Sequence, residues 1–189
     1  MTGSKSSEMW LAAGYELFAM EGPDGLQIER LARITSHNKS GFYHYFGNLD
    51  IYCEQLILRH YRYFNFFLND VMTCNNVDPE YLLVLLKHKV TVMGQLQMVR
   101  CKSHQLFSGA HKEPDEKVVQ VGQKIWANHI DIHDNPDLVA QYHSIIRDMF
   151  YSRISFENFN YDFLHHLANE AREVVMKIHR KQDTVSKLG

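Results

Sequence analysis

The residues best equipped for chemistry stand close together: Asn38-Lys39-Ser40-Gly41, then Tyr43 and His44. They carry hydrogen-bond donors of several kinds and no nucleophile with a base. Lysine can donate to guanine O6/N7 or to phosphate, and Asn38 and Ser40 can donate to phosphates or base edges. Tyr43 and His44 add a hydroxyl and an imidazole. Gly41 costs about 1 kcal/mol inside a helix relative to Ala, which a close backbone approach to a groove would offset. Gln27, eleven residues before Asn38, offers an amide to a phosphate or to the start of its own helix. A solvated surface turn is the competing reading of the cluster.

Elsewhere the chemistry is thin. His129 and His133 lie four apart with Asp134 beside them, a spacing that supplies two metal ligands but no third. Cys101 and His104 could meet on one helix, yet nothing orients the histidine as a base. Gly-rich phosphate loops, GxSxG elbows and HExxH pairs are absent from the sequence. No catalytic residues, metal site or cofactor are expected, and the chain is read as no enzyme. Cys53, Cys74 and Cys101 are three and widely spaced, which argues for reduced thiols in a cytosol rather than a disulfide framework. The start, MTGSKSSEMW, lacks a signal peptide's apolar stretch. The longest apolar run, Tyr81–Leu86, falls far below the ~20 residues that span a bilayer. A soluble, cytoplasmic protein without a membrane partner is expected.

The net charge of −2 excludes a broadly basic coat for nucleic acid. Any positive surface must be local. Within Leu26–Asp50, Arg30, Arg33 and Lys39 face Glu29 and Asp50, whereas Met1–Gly25 sets Lys5 against Glu8, Glu16, Glu21 and Asp24. One copy would therefore bind DNA weakly.

The elements around Lys39 read as two short helices and a turn. Ile28, Leu31 and Ala32 recur at helical spacing. Thr35-Ser36-His37-Asn38 are turn and cap formers, and Asn38 can cap the next helix. Phe42, Tyr43, Tyr45 and Phe46 follow. A helix, a turn of about 3–4 residues and a second helix is the arrangement that places the second helix in a DNA major groove.

This stretch resembles the DNA-binding half of the tetracycline-repressor-like (TetR) family of transcription regulators. The resemblance rests on Leu31-Ala32, Ser36 in the turn, Asn38-Lys39-Ser40-Gly41, the run Phe42-Tyr43-His44-Tyr45-Phe46, and Asp50 opening a long helix. Upstream, Ala13, Leu17-Phe18 and Gly22 match the family's first helix and its end. The match covers roughly the first 55 residues. It implies that Tyr43 and His44 contact phosphates, and that Phe42 and Phe46 wedge the helix into the core. Two departures stand out: His37 occupies a usually apolar position, and Leu49 replaces a lysine that faces phosphate in the family.

Beyond residue 50 the chain reads as further helices, with Pro23, Pro79, Pro114 and Pro136 as punctuation and no strand-like alternation. Helices are expected over about 7–21, 50–72, 79 to near 108, 115–133, 136–154 and 161–181. That of Leu82–Leu96, apolar most of the way round, should be the most buried. The fold class is all-α. Residues 1–49 form a three-helix DNA-binding domain with a helix-turn-helix, and residues 50–189 a helical ligand-binding and dimerisation domain.

The resemblance implies a homodimer in which the last two helices pair with their copies, through Tyr142, Ile145, Met149, Leu164, Leu167, Ala171, Val174 and Ile178. It also implies an effector chamber, for which Phe66, Phe67, Met93, Phe107, Trp126 and Tyr142 are the candidates; an ordinary helical core fits the same residues. The expected function is a transcriptional repressor on a palindromic operator, released by a small molecule. Two alternatives are a helical-bundle binder or enzyme for an apolar small molecule, and a DNA-binding regulator controlled by a protein partner.

Overall fold

The computed structural model describes residues 5–101 and 104–186, the last few of these by backbone alone. Among the described residues there are nine α-helices and no strand, so the chain is all-α. In order they are α1 (Lys5–Glu21), α2 (Ile28–Thr35), α3 (Lys39–Phe46), α4 (Leu49–Val71), α5 (Leu82–Lys87), α6 (Lys89–Arg100), α7 (Lys112–Ile130), α8 (Pro136–Arg153) and α9 (Tyr161–Ser186). A single 3-10 turn, Pro23–Gly25, follows α1, and a wide turn, Val77–Tyr81, precedes α5. No helix among the described residues is long and apolar enough to cross a membrane.

Two compact units result: residues 1–67 with 88–115, and residues 68–87 with 116–189. The unit that holds α1–α3 is therefore much larger than residues 1–49. The reason lies in its core. Trp10 and Phe18 of α1, Leu31 of α2, Phe42 of α3, Tyr52 and Leu56 of α4, Met98 of α6 and Phe107 form one buried cluster. Burying a side chain of this size contributes about 1.5–3 kcal/mol, so the first three helices draw their stability from α4 and α6 as well.

Local chemistry ends each short helix where it does. Gly22, at φ 72°, and Pro23 stop α1. Ser36, at φ 56°, closes α2 in the left-handed region, its N–H returning to Ala32 O and Arg33 O. Asn38 caps α3 by accepting from Gly41 N at 2.8 Å. Gly47, at φ 73°, ends α3, and Asn48 Oδ1 accepts from Ile51 N at 2.9 Å to start α4.

The expected helix from residue 79 onward is instead three pieces: the wide turn, α5, and α6 after a break at His88 (φ −103°, ψ 25°). The break separates residues serving different cores. Leu82 and Leu85 are buried in the second unit, while Thr91 to Met98 are buried without interruption in the first.

The second unit packs α5 and α8 against α9. Asn135 caps α8 from Leu138 N at 3.0 Å, with Pro136 in the first turn. Asn160 caps α9 from Phe163 N at 3.0 Å. Arg153 on α8 pairs with Glu170 on α9 at 2.5 Å. Asp78 ties the wide turn to α9 through His165 Nδ1 at 2.8 Å.

Candidate functional site

The α2–turn–α3 segment presents its donors on a helix anchored from behind. Phe42 and Phe46, four apart on α3, are buried. Phe42 meets Trp10 edge-on at 5.4 Å and lies 5.0 Å from Tyr52, while Phe46 meets Tyr52 at 4.9 Å between ring centroids. Tyr52 in turn donates its hydroxyl to Trp10 O at 2.7 Å. Edge-to-face contacts of this kind each contribute about 0.5–1.5 kcal/mol beyond burial, so α3 is held by its aromatic side. Its opposite side carries Lys39, Ser40, Tyr43 and His44, all exposed, with Tyr43 at 51%.

Each of the seven candidates has a definite place. Asn38 is an N-cap, its amide oxygen engaged within the chain by accepting from Gly41 N. Gly41 is half-buried, and a Cβ built there would meet only Asn38 Oδ1 at 3.5 Å, an ordinary contact. The protein's own packing gives no reason for glycine at 41. Gln27 is exposed, starts α2 without capping it, and reaches Asp24 O at 3.4 Å. Asp24 lies in the 3-10 turn before α2, and Gln27 makes only this weak contact back to it.

The charge distribution differs from a bare count of bases. Lys39 Nζ lies 2.5 Å from Glu29 Oε1, both exposed, and the lysine holds the Glu29 carboxyl below the usual carboxylate range. Arg30 makes a two-armed pair with Glu21, which depresses that carboxyl in the same way. Arg33 and Ile34 are exposed at the end of α2, Ile34 at 52%. Sequence reading missed both ion pairs, whose partners stand nine and ten residues apart across turns. No helical periodicity pairs such positions.

The two departures from the family pattern acquire roles. His37 is half-buried 5.8 Å from the Trp10 ring and bonds Thr35 O through Nδ1 at 2.6 Å. A carbonyl only accepts, so Nδ1 carries the proton. Leu49 is half-buried against the core of its unit.

The effector candidates do not gather in one core. Phe67, Met93 and Phe107 are buried in the first unit, Trp126 and Tyr142 in the second, and Phe66 is 55% exposed on α4. Phe66 is thus corrected from a lining residue to a surface one, because α4 is apolar on more sides than its neighbours cover. The interface candidates divide as well. Tyr142, Leu164, Leu167 and Ala171 are at most 4% exposed and pack inside their own unit. They are core residues. Ile145 and Met149 on α8 are half-exposed, and Val174 and Ile178 on α9 are 37% and 43% exposed.

The remaining titratable clusters carry little chemistry. Burial pushes the Cys101 thiol up, away from a nucleophilic thiolate. Among the described residues no three His, Cys, Asp or Glu side chains gather as metal ligands. His129 turns toward Ala168 O at 3.4 Å, and His133 lies 3.7 Å from Asp131. No family model matches the chain, and no curated protein or solved structure is significantly similar to it.

Proposed function

We propose that the protein is a DNA-binding transcription regulator of TetR type, acting as a homodimer and released from a palindromic operator by a small molecule. One observation carries the reading. Directly after a three-residue turn, α3 is fixed by Phe42 and Phe46 and turns Lys39, Ser40, Tyr43 and His44 outward, with a glycine at 41 that nothing inside the chain requires. A helix so presented suits a major groove, with Lys39 and Ser40 toward phosphates or base edges and Tyr43 and His44 toward phosphates. The half-exposed apolar pairs Ile145/Met149 and Val174/Ile178 offer a surface for the second copy.

Selection of bound fragments from random DNA at low salt tests this. The expected product is an inverted repeat whose half-sites lie about 34–36 Å apart or a multiple of that. Recovery of no enriched repeat overturns the proposal. Lys39→Ala and Tyr43→Phe should each weaken retention while leaving thermal stability near that of the parent, since both side chains are exposed.

A further inference from the structure

Three of the six buried side-chain atoms that lack a hydrogen-bond partner among the described residues fall in one aromatic cluster of the second unit: Trp126 Nε1, Tyr142 Oη and His143 Nδ1. The residues are 3%, 0% and 4% exposed. The Trp126 ring lies 5.3 Å from His143 and 6.3 Å from Tyr142, and Tyr81 closes on its edge at 5.1 Å. Gly122, one turn earlier on α7, is obligatory for this placement, because a Cβ there would stand 2.6 Å from Trp126 Nε1.

Such a trio is an odd choice for a core. An unpartnered buried polar group is a net cost, whereas an apolar group of the same shape is neutral or stabilising. Phenylalanine at 142 and a leucine-sized residue at 143 would fill the same space without it. Three unpaired groups kept in one buried aromatic cluster point to a state in which they have partners. The chemistry of that partner follows from the groups. An indole N–H only donates, a tyrosine hydroxyl donates readily, and a neutral imidazole can place its proton on Nδ1. Burial keeps His143 neutral to about pH 4. The occupant must therefore bring acceptor oxygens, and the surrounding rings favour a flat aromatic body. Arg172 on α9, exposed, acts electrostatically on both Tyr142 and His129 from the positive side, which favours an anion.

We propose that the Trp126–Tyr142–His143 cluster binds a small planar aromatic carboxylate, its oxygens accepting from the indole and phenol with Arg172 supplying the opposite charge. This gives the regulator reading its effector class, and rests on that reading only for what binding would control. The site binds with or without an operator.

The test uses the full chain with its two tryptophans labelled with nitrogen-15, titrated with benzoate, phenylacetate and the uncharged benzamide. The indole resonance absent in Trp126→Phe identifies Trp126. Expected are a saturable downfield movement of that resonance with the two acids, no movement for Trp10, and a weaker response to benzamide. Tyr142→Phe should weaken binding about tenfold or more, the effect of losing a hydrogen bond to a charged group, with a melting temperature equal to or above the parent's. Arg172→Gln should erase the preference for the acids. A Trp126 resonance that stays put to about 10 mM of every probe, where even a Kd far above 1 mM would register, overturns the site. Equal response to benzamide overturns the anionic class. An operator-selecting protein with an unmoved Trp126 removes this site and leaves the regulator reading intact; benzoate binding without any operator does the reverse.

Discussion

His60 offers the sharpest check on the structure's electrostatics. It is fully buried in the first unit, in a chain of hydrogen bonds whose direction can be worked out. Gln95 Nε2 donates to His111 O at 2.9 Å and to Asp115 Oδ1 at 2.8 Å, which fixes the amide orientation. Gln95 Oε1 therefore faces His60 Nε2 at 2.9 Å and must receive a proton from it. His60 Nδ1 is left as an acceptor for the Tyr15 hydroxyl at 2.9 Å. Gly94 leaves the room, since a Cβ there would lie 3.3 Å from that hydroxyl. The imidazole is neutral, and burial lowers its pKa from 6.5 to about 4. Because the folded value lies below the unfolded one, the neutral ring's contribution is complete above pH 6.5 and declines as the unfolded chain takes up its proton. It is gone below about pH 4. At about 1.36 kcal/mol for each tenfold difference in proton affinity, the loss approaches roughly 3 kcal/mol. His60→Leu should be destabilised at pH 7.5 by about 2–4 kcal/mol, because Tyr15 Oη and Gln95 Oε1 lose their partner. Urea unfolding of both proteins at pH 7.5, 6, 5 and 4 should show the gap closing by roughly 3 kcal/mol, all other histidines cancelling in the difference. A gap constant with pH, or a His60 ring proton that titrates near 6.5, would refute the buried neutral imidazole.

Three further outcomes follow from named contacts. Gly14→Ala would place a Cβ 1.7 Å from Tyr52 Oη and should destabilise by about 3 kcal/mol, at the upper end for overpacking; thermal melts should show part of that loss recovered in Gly14→Ala/Tyr52→Phe, and additive losses would sink the steric account. Asn38→Ala removes the cap on α3 and should cost about 1 kcal/mol in chemical denaturation, with faster amide exchange at Gly41. Glu29→Gln releases Lys39 from its pair. On the regulator reading it should tighten operator binding and steepen the salt dependence by about one counterion; unchanged affinity across salt concentrations would place Lys39 away from phosphate.

The all-α class and the α2–turn–α3 segment were legible because they rest on local chemistry: Gly22-Pro23, the cap at Asn38, Pro136 at the start of α8, and the spacing of Phe42 and Phe46. The break at His88 was not. Leu82 to Leu96 keeps apolar residues at helical spacing on either side of Lys87-His88-Lys89, with no Gly or Pro before Gly94, and only the division of its buried faces between two cores interrupts the helix. The α9 stripe shows the same limit. Leu164, Leu167, Ala171 and Val175 recur as an interface seam would, yet they are buried in their own chain, and periodicity records that a face is covered without recording by what. His143 escaped notice because a histidine between Tyr142 and Ser144 on α8 reads as surface until its burial is known.

The pairing of bases with acids on α2 and α3 bears on how such a surface would hold DNA. With Arg30 on Glu21 and Lys39 on Glu29, only Arg33 among the three bases of this stretch is exposed outside those pairs. Counterion release scales with the phosphates that cations neutralise, so a module of this kind has little sequence-independent affinity. Beyond Lys39, its contacts would come from the hydrogen-bond donors at Ser40, Tyr43 and His44, which depend on geometry and pair with specific base edges or phosphates in register. If one module binds at the weak end of non-specific affinity, about 10⁻⁴ M, joining two of them rigidly gains about 10²–10⁴ without a new contact. Binding at micromolar to ten-nanomolar Kd then requires both half-sites at the correct spacing. Dimer geometry, more than charge, would set occupancy, and a change in spacing between the two modules would be enough to release the DNA.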